Sequence, residues 1–167
     1  MTFSTPLDVL KEAILLERRG QAFYRQVADS AASPSVKEFF ETMADEESRH
    51  VQILETQFRS YDQNQAFEKL ASEANDSTPL ADVVLTPDLM EQIGAAGHEA
   101  AAISAAIFME EKAVALYSQR AETAQDTHER DLYQWLADWE RGHLRLLVQL
   151  DKEIRQAIWQ DSNFWPF

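Results

Sequence analysis

The 167-residue chain is 45% hydrophobic and 26% charged, which excludes a wholly disordered chain or a fibrous repeat and suits one ordinary domain. It has no cysteine, which excludes disulfide scaffolds, thiolate-bound zinc, iron–sulfur clusters and thiol nucleophiles. Its net charge of -14 repels nucleic acid and anionic membrane, so neither is expected as a partner.

With 4 Gly and 5 Pro, turns are scarce and elements must be long, which favours helices. Thr5-Pro6 reads as a cap followed by proline in the first helical turn, opening a helix over about Leu7 to Ala32. Ser33-Pro34 repeats that start signal, and Ser35 with Glu38 has the spacing of a capping box. The second helix runs over about Ser35 to Tyr61. A polar crossover follows, with a short helix expected near Asp88 to Ile93. Gly94 and Gly97 bracket the start of a third helix, about His98 to Ala124. Asp126-Thr127 caps a fourth, about His128 to Gln160, and the aromatic tail leaves the helix at or before Pro166. Residues 1–20 lack a basic segment followed by an apolar run, and no stretch reaches the ~18 apolar residues of a membrane span. A cytoplasmic location is expected.

The two halves repeat. Leu16-Glu17 with Phe23-Tyr24 matches Met109-Glu110 with Leu116-Tyr117. Met43-Ala44-Asp45-Glu46-Glu47 with His50 matches Leu136-Ala137-Asp138-Trp139-Glu140 with His143. The offset is constant, since 110 − 17, 117 − 24, 140 − 47 and 143 − 50 all equal 93. The expected fold is therefore all-α: a four-helix bundle of two repeated helical hairpins with a long crossover between helices 2 and 3. It forms one domain over 1–167, with hairpins at 7–61 and 98–160, the crossover at 62–97 and the tail at 161–167.

Steps of three and four residues trace the packed seam of each helix. The first seam carries Leu10, Glu17, Tyr24 and Ala28; the second Phe40, Met43, Glu47, His50 and Leu54. The third carries Ile103, Glu110, Tyr117 and Ala121; the fourth Leu136, Glu140, His143 and Leu147. Four glutamates and two histidines thus sit at core positions. An unpaired buried carboxylate costs several kcal/mol even after relaxation, and no Lys or Arg shares these seams. Two divalent ions would balance four carboxylates, and Glu and His at i and i+3 can reach one metal. One Glu from each of two helices plus Glu-x-x-His from each of the other two is the donor set of dinuclear iron and manganese carboxylate bundles. Carboxylate and imidazole without thiolate suit iron, manganese or a mixed pair, and permit zinc as a substitute.

Other residues have narrower roles. Tyr24 and Tyr117 lie two turns beyond Glu17 and Glu110, and two readings fit them: core tyrosines, or hydrogen-bond partners of carboxylate ligands. Glu46 precedes Glu47 and is placed to orient a ligating histidine. Its repeat counterpart, Trp139, cannot accept a hydrogen bond, so the two metal sites are expected to be unequal. Glu111, His98 and His128 lie off the seams and are expected on the surface. Trp159, Phe164, Trp165 and Phe167 are expected to pack on the bundle or on a second copy.

These paired motifs resemble the ferritin-like superfamily, and within it the rubrerythrin-type proteins, over roughly 7–61 and 98–155. The resemblance implies a ferritin-like bundle with a non-haem diiron site held by Glu17, Glu47, His50, Glu110, Glu140 and His143. It implies that Glu47 and Glu140 bridge the metals, as the catalytic carboxylates, while Glu17 and Glu110 are terminal. It also implies reaction with hydrogen peroxide or dioxygen. The sequence departs from full rubrerythrins in two ways. It lacks the four cysteines of a rubredoxin domain, which implies a separate electron donor, rubredoxin-like or other. It also has Ile107 and Ala113, not Glu, three residues either side of Glu110, which removes the family's extra carboxylate. The same six-ligand set is similar to bacterioferritin, but no fifth helix is evident.

The leading expectation is a diiron oxidoreductase, with a homodimer as the expected assembly. The alternative is an iron-binding ferroxidase for storage or delivery. A purely structural bundle, binding no metal, is the third reading.

Overall fold

The computed structural model describes residues 5–71, 86–93 and 98–160. Five helices account for most of them: α1 Pro6–Ser30, α2 Pro34–Asn64, α3 Pro87–Gln92, α4 His98–Thr123 and α5 Thr127–Gln160. No strand occurs among the described residues. Gly94, Gly97 and the tail from residue 161 lie outside them. None of the described helices is long and apolar enough to cross a membrane.

The helix starts follow local chemistry. Thr5 caps α1: its hydroxyl accepts the Asp8 amide at 3.2 Å, and the Asp8 carboxylate accepts the Thr5 amide at 3.1 Å. The Thr5 hydroxyl also donates to that carboxylate at 2.7 Å, and with the Thr5 amide it holds the Asp8 carboxyl below its usual range. Asp126 caps α5 by accepting the Glu129 amide at 2.9 Å. The second helix departs from expectation. Its N-cap is Ser33, without a side-chain cap bond, and the Ser35–Glu38 capping box does not form. The Ser33 hydroxyl donates to Gln92 of α3 instead. A capping residue was redirected into a tertiary contact with the crossover.

Helix α2 runs to Asn64, one turn past the expected end. It stops where Gln65 adopts a left-handed conformation (φ 54°) and its amide bonds the Tyr61 carbonyl at 2.8 Å. The chain then folds back along α2. Gln57 clamps the Glu68 backbone through both its amide groups at 3.0 and 2.9 Å, and Phe67 is buried against Tyr61.

Helices α1 and α2 pack along their lengths, as do α4 and α5, and α1 also meets α4. Three-residue connections make each hairpin antiparallel. Side-chain pairs Tyr24–Glu110 and Glu17–Tyr117 make α1 and α4 antiparallel too. Helix α3 packs on α2 and α5, burying Leu89 and Ile93.

The interior is divided. One apolar cluster gathers Tyr24, Phe39, Phe40, Met43, Ile103, Leu147 and Leu150 with α3. A second gathers Leu10, Leu54, Tyr117, Leu132, Tyr133 and Leu136. Each fully buried Leu or Phe stabilises the fold by about 1.5–3 kcal/mol. Between the two clusters lies a polar layer, which these apolar contacts must keep folded.

Candidate metal centre

The polar layer is built from the helix seams. Helix α1 brings Glu17, α2 brings Glu47 and His50, α4 brings Glu110, and α5 brings Glu140 and His143. None of the six is more than 3% exposed. They form two groups: Glu17, Glu47, His50 and Glu140, and Glu47, Glu110, Glu140 and His143. Within each group, one donor atom per residue lies within 4.8 Å of the others. Glu47 and Glu140 belong to both groups, and the two imidazoles stack 5.9 Å apart.

Both histidines turn Nδ1 into the cluster. His50 Nδ1 aligns with Glu17 Oε2 at 3.0 Å, and His143 Nδ1 lies 3.1 Å from Glu140 Oε2. His50 Nδ1 is also 2.8 Å from Glu140 Oε1, an attractive distance. That oxygen nevertheless lacks an aligned donor among the described residues, because the ring N–H lines up with Glu17.

Burial pushes the carboxyls of Glu17 and Glu110 well above the usual range, and the neighbouring carboxylates push the same way. Burial would also raise Glu140, but the two histidines hold it well below the usual range. Burial opposes ionisation of Glu47 as well, and Glu140 repels it. Hydrogen bonds with Glu17, His143 and His50 nevertheless leave its pKa lowered. Burial favours neutral histidines, yet Glu140 and their other carboxylate contacts raise both well above the ordinary imidazole value. Two divalent cations would balance four carboxylates beside two neutral imidazoles. The donors thus fit a pair of metals by charge, by type and by the undonated oxygen of Glu140.

The tyrosines reach across the repeat. The Tyr24 hydroxyl donates to Glu110, and the Tyr117 hydroxyl donates to Glu17. Each hairpin's tyrosine therefore holds the other hairpin's single glutamate. Both rings are fully buried, and burial with the adjacent carboxylate raises both phenols well above their usual pKa.

The support behind the histidines is unequal. Glu46 Oε2 accepts from His143 Nε2 at 2.8 Å and from the indole of Trp139 at 2.7 Å. His50 Nε2 is buried and has no partner among the described residues. Trp135 and Trp139 stand against the His50 ring at near right angles.

Of the residues expected on the surface, Glu111 and His98 are exposed. His128 is not: it is half-buried, with no partner for Nδ1 among the described residues, because the first turn of α5 docks through the partly buried pair Arg120–Glu129. Trp159 ends α5 with 74% exposure, and the other tail aromatics lie outside the described residues.

Gly20 escaped sequence reasoning. A Cβ there would approach the Glu47 carboxyl carbon to 3.3 Å, so the glycine makes room for that carboxyl group. Its signal was a glycine inside a helix, three residues after Glu17, where alanine would favour the helix by ~1 kcal/mol. Its repeat mate is Ala113. Gly20, Ala113, Leu16 and Met109 line a cavity of about 10 Å³ reaching Glu17, Glu47, Glu110 and Glu140. That is roughly the room of one water.

A family model described as Rubrerythrin matches residues 8–152. No curated protein and no solved structure matches the chain. The matched span runs from α1 into α5 and includes all six clustered carboxylates and histidines. The chain belongs to the rubrerythrin family.

Proposed function

We propose that this protein is a non-haem diiron oxidoreductase that reduces hydrogen peroxide or dioxygen. The observation that carries this reading is the pair of buried donor groups sharing Glu47 and Glu140. Glu17, Glu47 and His50 would hold one iron, and Glu110, Glu140 and His143 the other, with Glu47 and Glu140 common to both. Two ferrous ions would supply the two electrons that reduce an O–O bond.

The chain's own contribution is enclosure and orientation. The two apolar clusters exclude bulk water from the polar layer. Tyr24 and Tyr117 fix the orientation of Glu110 and Glu17 by donating to one oxygen of each. The small cavity beside Gly20 and Ala113 suits an oxidant no larger than a few atoms, arriving between α1 and α4. These 167 residues hold no cysteine, and an electron donor, rubredoxin-like or other, belongs to the proposal.

The test begins with iron content per chain after anaerobic Fe(II) loading and desalting. About two irons are expected. Stopped-flow mixing with peroxide and with dioxygen then follows oxidation. One stoichiometric oxidation per iron pair, renewed by an external reductant, is the expected result. Continued turnover of added Fe(II) with mineral growth would move the assignment to a ferroxidase. No retained metal would sink both.

A further inference from the structure

We propose that the two metal positions are intrinsically unequal, with the His143 position filling first, and that Glu46 sets the order. The inference rests on the dinuclear reading above and goes beyond it.

The argument concerns tautomers. A neutral histidine that offers Nδ1 to a metal must carry its proton on Nε2. For His143 that proton has an acceptor in place, Glu46 Oε2 at 2.8 Å. A carboxylate behind a ligating imidazole fixes the tautomer, holds the ring plane and raises the basicity of the opposite nitrogen. For His50 the same tautomer puts a buried N–H where no acceptor stands among the described residues. Both Nδ1 atoms face carboxylate oxygens, Glu17 Oε2 for His50 and Glu140 Oε2 for His143, so the two rings differ on the Nε2 side. Metal binding displaces the Nδ1 contact at both positions, but only at His50 does it leave Nε2–H unsatisfied.

The difference traces to one pair of positions. Glu46 and Trp139 occupy equivalent places in the two hairpins, 93 residues apart. Were Trp139 a carboxylate, it would be the repeat's candidate to support His50, as Glu46 supports His143. As an indole it donates, and it donates to Glu46. One side of the site therefore receives the oriented acceptor, and the supporting carboxylate is itself held in place by the residue that replaced its twin.

The experiment is an anaerobic titration of the metal-free protein with Co(II), followed by visible absorption and by calorimetry. Wild type is expected to take up two ions per chain in two steps separated by at least about tenfold in affinity. His143→Ala should remove the tighter step, and His50→Ala the weaker one. Glu46→Gln should weaken the tighter step by roughly 10–100-fold and leave the weaker one within about twofold. Glu46→Asp should restore part of the loss. Two equal steps in wild type, or an equal loss of both steps in Glu46→Gln, would overturn the proposal. Failure of wild type to bind Co(II) or Fe(II) at all would overturn the dinuclear reading itself. That outcome is distinguishable, because it appears before any variant is compared.

Discussion

The two hairpins are near copies in what they point into the interior and unlike in what stands behind it. Tyr24 donates to Glu110 and Tyr117 to Glu17, the same crossed hydrogen bond made once from each side. Glu46 and Trp139 occupy equivalent positions and do opposite things, one accepting and the other donating. The helix starts diverge in the same way. Asp126 caps α5, whereas its counterpart Ser33 bonds Gln92 of the crossover. The shared interior follows from charge: four buried carboxylates must be matched at one level of the bundle, so no single member can drift without leaving the others uncompensated. Supporting and capping positions are under no such joint constraint.

The largest expected effect separates shared from unshared carboxylates. Glu47→Ala or Glu140→Ala should leave at most one firmly bound iron per chain, because each removes a donor from both groups. Glu17→Ala or Glu110→Ala should weaken one position and spare the other. Iron analysis after anaerobic loading tests this, and equal losses in all four variants would break the distinction.

Next in size is the response to pH. Glu17, Glu110, His50 and His143 all hold protons more tightly than usual, and metal must displace them. Affinity should therefore climb as pH rises, with proton competition persisting above 6.5, the ordinary imidazole value. The same raised groups stabilise the metal-free fold below their unfolded pKa values. That contribution is lost as pH rises through the folded ones. The metal-free melting temperature should fall between pH 5 and pH 8 while the increment from bound metal grows. A metal-free protein that becomes more stable over that range would contradict the protonation pattern.

Smaller, and a test of symmetry, is the loss of the crossed tyrosines. Tyr24→Phe and Tyr117→Phe should each destabilise the metal-free protein by about 1 kcal/mol, and by similar amounts, in urea unfolding. A large difference between them would show that the asymmetry extends to both faces of the layer.

The smallest effects concern the caps. Asp126→Ala should cost about 1 kcal/mol, as N-cap losses do. Ser33→Ala should cost less, since it forfeits only an exposed side-chain bond to Gln92. Thermal unfolding of the two variants compares them directly, and a larger cost at Ser33 would mean that the crossover contact outweighs a cap.

The sequence by itself determined the helices, their pairing into hairpins, and the six residues that converge. Helical periodicity and a constant offset of 93 are properties of the chain as written, and they place Glu17, Glu47, His50, Glu110, Glu140 and His143 on packed faces before any packing is known. Even the inequality at Glu46 and Trp139 was legible, because an indole cannot accept a hydrogen bond. Only the tertiary structure decided which partner each side chain meets. Tyr24 meets Glu110 rather than Glu17 on its own helix, Glu46 serves His143 rather than His50, and Gly20 yields space to Glu47. Ser33 gave up its cap for Gln92, and His128 was drawn inward beside the Arg120–Glu129 pair. These contacts join segments far apart in the chain. They depend on how deeply and at what rotation the helices pack, which periodicity within one helix does not encode.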